Sequence, residues 1–147
     1  MTDIQPLTIL LVEDDPGHAR LIEKNLRRCH VTNEILWVDD GQKAVDLLFG
    51  QGAYEGQLPP RSLLVLLDLN LPVLNGYQVL QRMKSDENTR RIPVVVLTTT
   101  DEPHEINKCY ELGCNVYVTK PVDYESFTEA IRKLGLFLSV VAVPANA

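Results

Sequence analysis

Short unbroken apolar runs alternate along this chain with stretches in which apolar positions recur every three or four residues. Thr8-Ile9-Leu10-Leu11-Val12 is β-branched and aliphatic and halts at Glu13-Asp14-Asp15. Beyond Pro16, the residues Ala19, Ile22, Leu26 and Cys29 are spaced by three, four and three, which is one face of a helix. Glu34 to Val38 predicts a second strand, closed by Asp39-Asp40-Gly41, and Ala44, Val45, Leu47 and Leu48 predict the next helix. Gly50 to Ser62 holds three glycines and two prolines and predicts a long loop. Leu63 to Leu67 is the third strand, and Val79, Leu80 and Met83 place a helix over Gly76 to Lys84. Ile92-Pro93 opens a fourth strand, Val94 to Leu97, which ends in Thr98-Thr99-Thr100. Ile106, Cys109, Tyr110 and Gly113 trace a helix with a glycine stop, and Val116-Tyr117-Val118 is a fifth strand ended by Lys120-Pro121. Asp123 can cap a last helix, with Val122 and Phe127 placed as a hydrophobic staple.

Five strand–helix pairs in strict alternation imply an α/β domain: a doubly wound parallel sheet with helices on both faces. At 147 residues a single domain, 1–147, is expected. The net charge of −6 and pI near 5.0, with no Lys/Arg-rich segment, argue against a nucleic-acid partner. Three cysteines (Cys29, Cys109 and Cys114) are odd in number and lack metal spacing, so buried, reduced thiols and a cytosolic setting are expected. The N-terminus carries no secretory pattern and no apolar run reaches membrane-spanning length, so a soluble, cytoplasmic protein with no membrane partner is expected.

Chemistry concentrates where the strands end. Leu66-Leu67-Asp68-Leu69-Asn70-Leu71-Pro72 puts one acid at the end of an apolar run, with Pro72 and Gly76 forcing a turn beyond it. Desolvating a carboxylate there is costly without a strong partner. In an open parallel sheet, ligands bind at the carboxyl ends of the strands. The first strand delivers Glu13, Asp14 and Asp15, the third Asp68, the fourth Thr98, and Lys120 follows the fifth. Asp15, just before Pro16, is expected to cap the helix and to play only a minor metal role. Crowded carboxylates repel unless a cation intervenes, and hard oxygen ligands without His or Cys suit Mg2+. Acids, a divalent cation, a lysine and a hydroxyl together form a receptacle for a phosphoryl group, with Asp68 as its nucleophile.

The set Val12-Glu13-Asp14, Leu66 to Pro72, Asn75-Gly76, Val96-Leu97-Thr98-Thr99 and Thr119-Lys120-Pro121 resembles the receiver domain of two-component response regulators, over about Leu7 to Leu138. That resemblance implies a flavodoxin-like (βα)5 fold with strand order 2-1-3-4-5. It implies Asp68 as the phosphorylated residue, and Glu13, Asp14, Asp68 and the Asn70 carbonyl as Mg2+ ligands. Thr98 and Lys120 match the phosphoryl-contacting hydroxyl and amine, Tyr117 with Thr98 matches the family's switch pair, and a cis Lys120–Pro121 bond is implied. The long loop, the continuation past the last helix, Gly17-His18-Ala19-Arg20-Leu21 and the phrase Arg91 to Thr99 are similar to regulators partnered with phytochrome-type histidine kinases.

After Lys133 the chain runs to Ala147 without a charge, which reads as an apolar extension of about 134–147, and no output domain is expected. Leu136, Phe137, Val140 and Val141 exceed what the last helix needs, so a homodimer through that helix and its extension is expected. The expected function is a stand-alone regulator that takes a phosphoryl group from a histidine kinase and signals at the face of its fourth helix, fifth strand and fifth helix. It would catalyse only its own phosphorylation and dephosphorylation. The alternatives are an unphosphorylated adaptor and an aspartyl-phosphate phosphatase. Asn70 stands where such phosphatases carry a second, proton-transferring Asp, which argues against turnover. The missing Gly-x-Gly-x-x-Gly after the first strand argues against a flavin or dinucleotide site.

Overall fold

The computed structural model describes residues 7–60 and 62–120, with Glu125, Ser126, Glu129, Arg132 and Lys133 beyond them. Five apolar runs form the strands β1 (Thr8–Val12), β2 (Ile35–Val38), β3 (Leu63–Leu67), β4 (Val94–Thr98) and β5 (Val116–Thr119). They pair in parallel in the order β2-β1-β3-β4-β5. The periodic stretches become α1 (Pro16–Arg28), α2 (Gly41–Phe49), α3 (Gly76–Lys84) and α4 (Pro103–Leu112). The architecture is the flavodoxin-like doubly wound sheet that the alternation and the resemblance predicted.

Side chains on a strand alternate between faces, so each central strand feeds two cores. Leu10, Val12, Val65, Leu67, Val94 and Val96 face Ala44, Val45 and Leu48 of α2 and Val79, Leu80 and Met83 of α3. Ile9, Leu11, Leu64, Leu66, Val95 and Leu97 face Ala19, Ile22 and Leu26 of α1. Covered on both sides, β1, β3 and β4 are buried throughout, which is why they read as continuous apolar runs.

Capping starts the helices at the carboxyl edge of the sheet. Asp15 accepts from the backbone N–H groups of Gly17 and His18, Asp40 from that of Lys43, and Asn75 and Gln78 close a reciprocal box on α3. The turn into α3 needs a glycine. A Cβ on Gly76 would stand 2.4 Å from the Asp68 carbonyl oxygen.

The structure corrects several expectations in detail. Cys109 and Cys114 are buried free thiols, but Cys29 is only half-buried, because α1 ends at Arg28 and Cys29 caps it. Tyr110 turns outward from α4 instead of joining the core. The strand β2 begins at Ile35, one residue later than read, and the long loop carries a short 3-10 turn, Gly52–Tyr54. Glu125, Ser126, Glu129, Arg132 and Lys133 are helical. The Asp123 cap, the Val122–Phe127 staple, the Lys120–Pro121 bond and the extension 134–147 lie outside the described residues. Among the described residues, no helix is long and apolar enough to cross a membrane.

Candidate functional site

Four parallel strands end at one edge, and each hands a polar residue to the same place. Glu13 follows β1 directly, with its N–H on the Val38 carbonyl at 3.1 Å. Asp68 follows β3, its N–H on the Val12 carbonyl at 3.1 Å. Thr98 closes β4, and Lys120 follows β5 with its N–H on the Thr98 carbonyl at 2.6 Å. Sheet hydrogen bonding therefore carries the chain up to each residue in turn and sets where its side chain begins.

The Lys120 ammonium lies between two buried acids. It donates to Glu13 Oε1 and, at 3.0 Å, to Asp68 Oδ2. Glu13, Asp68, Thr98 and Lys120 are all buried, whereas Asp14 is exposed. One carboxylate oxygen each from Glu13, Asp14 and Asp68 lie within 4.8 Å of one another. Asp68 Oδ1 also accepts the Asn70 N–H at 3.1 Å. That backbone bond brings Asn70 to the site, while its side chain is exposed. Asp15 caps α1 as expected, and the hydrogen bond from the His18 N–H holds its carboxyl below the usual range.

Three carboxylates lie together and the Lys120 ammonium bonds two of them, so the cluster is short of positive charge. Burial pushes the Glu13 carboxyl up to about 7 in spite of Lys120 beside it. The Thr98 Oγ1 is buried and, among the described residues, makes no hydrogen bond. An orphaned buried hydroxyl costs about 1–3 kcal/mol. An all-oxygen, acid-rich donor set fits a hard divalent cation such as Mg2+. The free hydroxyl and the lysine fit an anionic oxygen next to it.

Tyr117 stands apart from this cluster. Its hydroxyl donates to the Thr100 carbonyl, just past Thr98, and burial pushes its phenol up to about 12. Its N–H in turn donates to the Tyr110 hydroxyl at 3.2 Å. Tyr117 is thus tied to the loop two residues past Thr98, not to Thr98 itself.

Two neighbours of the site were missed in the sequence. The Trp37 indole N–H donates to the Glu13 carbonyl at 2.8 Å, and His18 Nδ1 lies 3.9 Å from Glu13 Oε1 and 3.9 Å from Asp15 Oδ2. His18 was in principle visible, three residues after the capping Asp15 in the first turn of the helix. Trp37 was not, because its reach depends on the register between β1 and β2.

The chain is also similar to known proteins in sequence and fold. The family model described as the response regulator receiver domain matches residues 9–132. Response regulator Rcp1 of Synechocystis sp. is 38% identical over 141 residues, 95% of each chain. A response regulator receiver domain from Rhodospirillum rubrum has a crystal structure with a TM-score of 0.88 and 56% identity, over 95% of this chain and 98% of that one. The phosphorylated cyanobacterial phytochrome response regulator RcpA follows at a TM-score of 0.84 and 38% identity, over 93% and 97%.

Proposed function

Since the chain belongs to the response regulator receiver domain family, a signalling family, and is related to phytochrome response regulators, we propose that it accepts a phosphoryl group on Asp68 from a phytochrome-type histidine kinase. The observation that carries this reading is the Lys120 ammonium between the buried Glu13 and Asp68, together with a buried Thr98 hydroxyl that has no partner among the described residues. Glu13, Asp14, Asp68 and the Asn70 carbonyl would hold Mg2+. When bound, the ion supplies positive charge that screens these carboxylates and the incoming phosphoryl oxygens.

The chain's own residues do the rest. An Asp68 carboxylate oxygen attacks phosphorus in line. The new O–P bond forms as the bond to the donor breaks, and the donor keeps that electron pair. Lys120 offers a fixed charge to a phosphoryl oxygen, without a proton having to move. Thr98 gains the hydrogen bond it lacks, which favours the state in which its hydroxyl turns toward the phosphoryl group. Tyr117 then gives up the Thr100 carbonyl and turns into the space Thr98 leaves. Such a population shift alters the face of α4, β5 and the following helix, where a partner reads it.

Phosphate-affinity gel mobility after incubation with acetyl phosphate tests the reading, with wild type beside Asp68→Asn. A shifted band in wild type alone, lost in EDTA, is the expected result. An equal shift in Asp68→Asn removes Asp68 as the acceptor. Homodimerisation through the last helix and its apolar extension belongs to the same proposal. It predicts elution at twice the monomer mass on a sizing column, and a chain shortened at 133 eluting as a monomer.

A further inference from the structure

Trp37 is the only tryptophan in the chain, and it stands on the edge strand β2 with 46% of its surface exposed. A tryptophan so exposed gains much less from burial than a core aromatic. What it does make is one well-formed hydrogen bond: its indole N–H meets the Glu13 carbonyl at 2.8 Å. The sheet register brings it there. Trp37 pairs with Leu11 and Val38 with Val12, so the Glu13 N–H takes the Val38 carbonyl. The indole borders the same small cleft as Leu11, Pro16 and Ala19 and reaches across the turn between β1 and α1.

The Glu13 carbonyl and the Asp14 N–H belong to one planar peptide unit. Holding the carbonyl therefore holds the plane from which the Asp14 side chain departs. The Glu13 carboxylate is already tied, by Lys120 and by the Asp15 N–H at 3.3 Å. Asp14 is exposed and takes its aim from its backbone. We propose that Trp37 is a positioning residue for the cation site: its indole N–H orients the Glu13–Asp14 peptide so that the Asp14 carboxylate joins those of Glu13 and Asp68. Its emission, one hydrogen bond away from the acidic loop, then reports the occupant. The proposal rests on reading these three acids as a divalent-cation site.

The test is a Mn2+ titration followed by the electron-spin-resonance signal of the free ion. It compares wild type, Trp37→Phe, and a chain carrying β-(3-benzothienyl)alanine at position 37, which keeps the indole shape and lacks the N–H. Both altered chains are expected to bind Mn2+ about tenfold more weakly, the lower end of what loss of an outer-shell partner costs. Wild-type tryptophan emission should titrate at the same midpoint, and this response should vanish in Asp14→Asn. Should Trp37→Phe fail to fold, the benzothienyl chain carries the comparison. Unchanged Mn2+ affinity in the chains lacking the N–H overturns the role given to Trp37. A wild type that binds no Mn2+ overturns the cation reading beneath it, so the two failures are distinct.

Discussion

The two sides of the site are held in different ways. On the β1–β3 side, Glu13 is bound through its backbone N–H, its carbonyl and its carboxylate, and Asp68 through its backbone and both carboxylate oxygens. On the β4–β5 side, the Thr98 hydroxyl has no partner among the described residues, and Tyr117 is tied by its hydroxyl to the Thr100 carbonyl. The packing narrows this division. β1, β3 and β4 are buried throughout, so the softness lies at the edge strand β5, every residue of which is half-buried. A phosphoryl acceptor needs its nucleophile and counter-charges fixed before reaction, because reorganising them would add to the barrier. A switch needs the opposite: a group whose best partner arrives with the signal. Under the proposed function, the acceptor Asp68 would sit on the rigid side and the Thr98–Tyr117 switch on the soft one, with Lys120 reaching from β5 across to the acids.

Lys120→Met should break that division most severely. It leaves two buried carboxylates without their shared cation, and breaking a buried pair costs about 3–5 kcal/mol. Urea unfolding at pH 8 in EDTA should show a loss of about 3 kcal/mol, the low end, since the neighbouring Asp14 is exposed. Millimolar Mg2+ should restore part of it, while acetyl phosphate should no longer label the chain at a measurable rate. A loss no larger than that of Tyr117→Phe would mean that both sides are equally held. Gly76→Ala attacks the β1–β3 side through its backbone, since its Cβ would press on the Asp68 carbonyl at 2.4 Å. Overpacking of this kind typically costs about 1–3 kcal/mol. The displaced Asp68 should also phosphorylate more slowly, and single-turnover labelling with acetyl phosphate measures that.

How far the sequence reveals this molecule follows the same line. β3 and α3 have the bounds read from the apolar pattern, because a strand buried on both faces is an unbroken run and Asn75 and Gly76 mark a helix start. The residues that meet at the sheet edge were legible because Glu13, Asp68 and Thr98 are each the first polar residue to interrupt or follow such a run, and Lys120 comes one past Thr119. Edges and orientations were not. β2 and β5 are short and half-covered, so their patterns are weak. Cys29 and Tyr110 fit a helical face by spacing, yet the end of α1 and the outward side of α4 leave them partly exposed. The Trp37 bond to Glu13 depends on how two strands align, which no local pattern encodes.

Smaller substitutions sharpen the comparison on the soft side. Tyr117→Phe removes one hydrogen bond, to the Thr100 carbonyl, and should cost about 1 kcal/mol in urea unfolding. Labelling of Asp68 by acetyl phosphate should be unchanged, because among the described residues Tyr117 makes no hydrogen bond to Glu13, Asp14 or Asp68. The titration of the phenol gives a second check. Burial raises the folded-state value to about 12, so the folded chain holds this proton more tightly than the unfolded one. Tyr117 therefore leaves stability unaffected below its unfolded value near 10 and lowers it as pH rises from there toward 12. The wild-type minus Tyr117→Phe difference in unfolding free energy should shrink across that window. A difference that stays flat would mean that the ring is no more buried in the fold than in the unfolded chain.

The smallest effect has the opposite sign and falls between the two sides. Val73, in the loop that joins Asp68 to α3, has φ of 70°, a left-handed conformation that a β-branched residue rarely adopts. It is 73% exposed, so little packing repays that strain. The neighbouring turns hold it there: Gly41 N–H bonds the Pro72 carbonyl at 3.3 Å, and Gly76 N–H bonds the Leu69 carbonyl at 3.0 Å. Asn tolerates this region far better than Val, and Val73→Asn should stabilise the chain by about 0.5–1 kcal/mol. If the loop is only a strut for the rigid side, the variant should melt higher and label at the wild-type rate. A higher melting temperature with slower labelling would show instead that the strain at Val73 helps to set the Asp68 backbone, and the rigid side would then extend through the whole loop to α3.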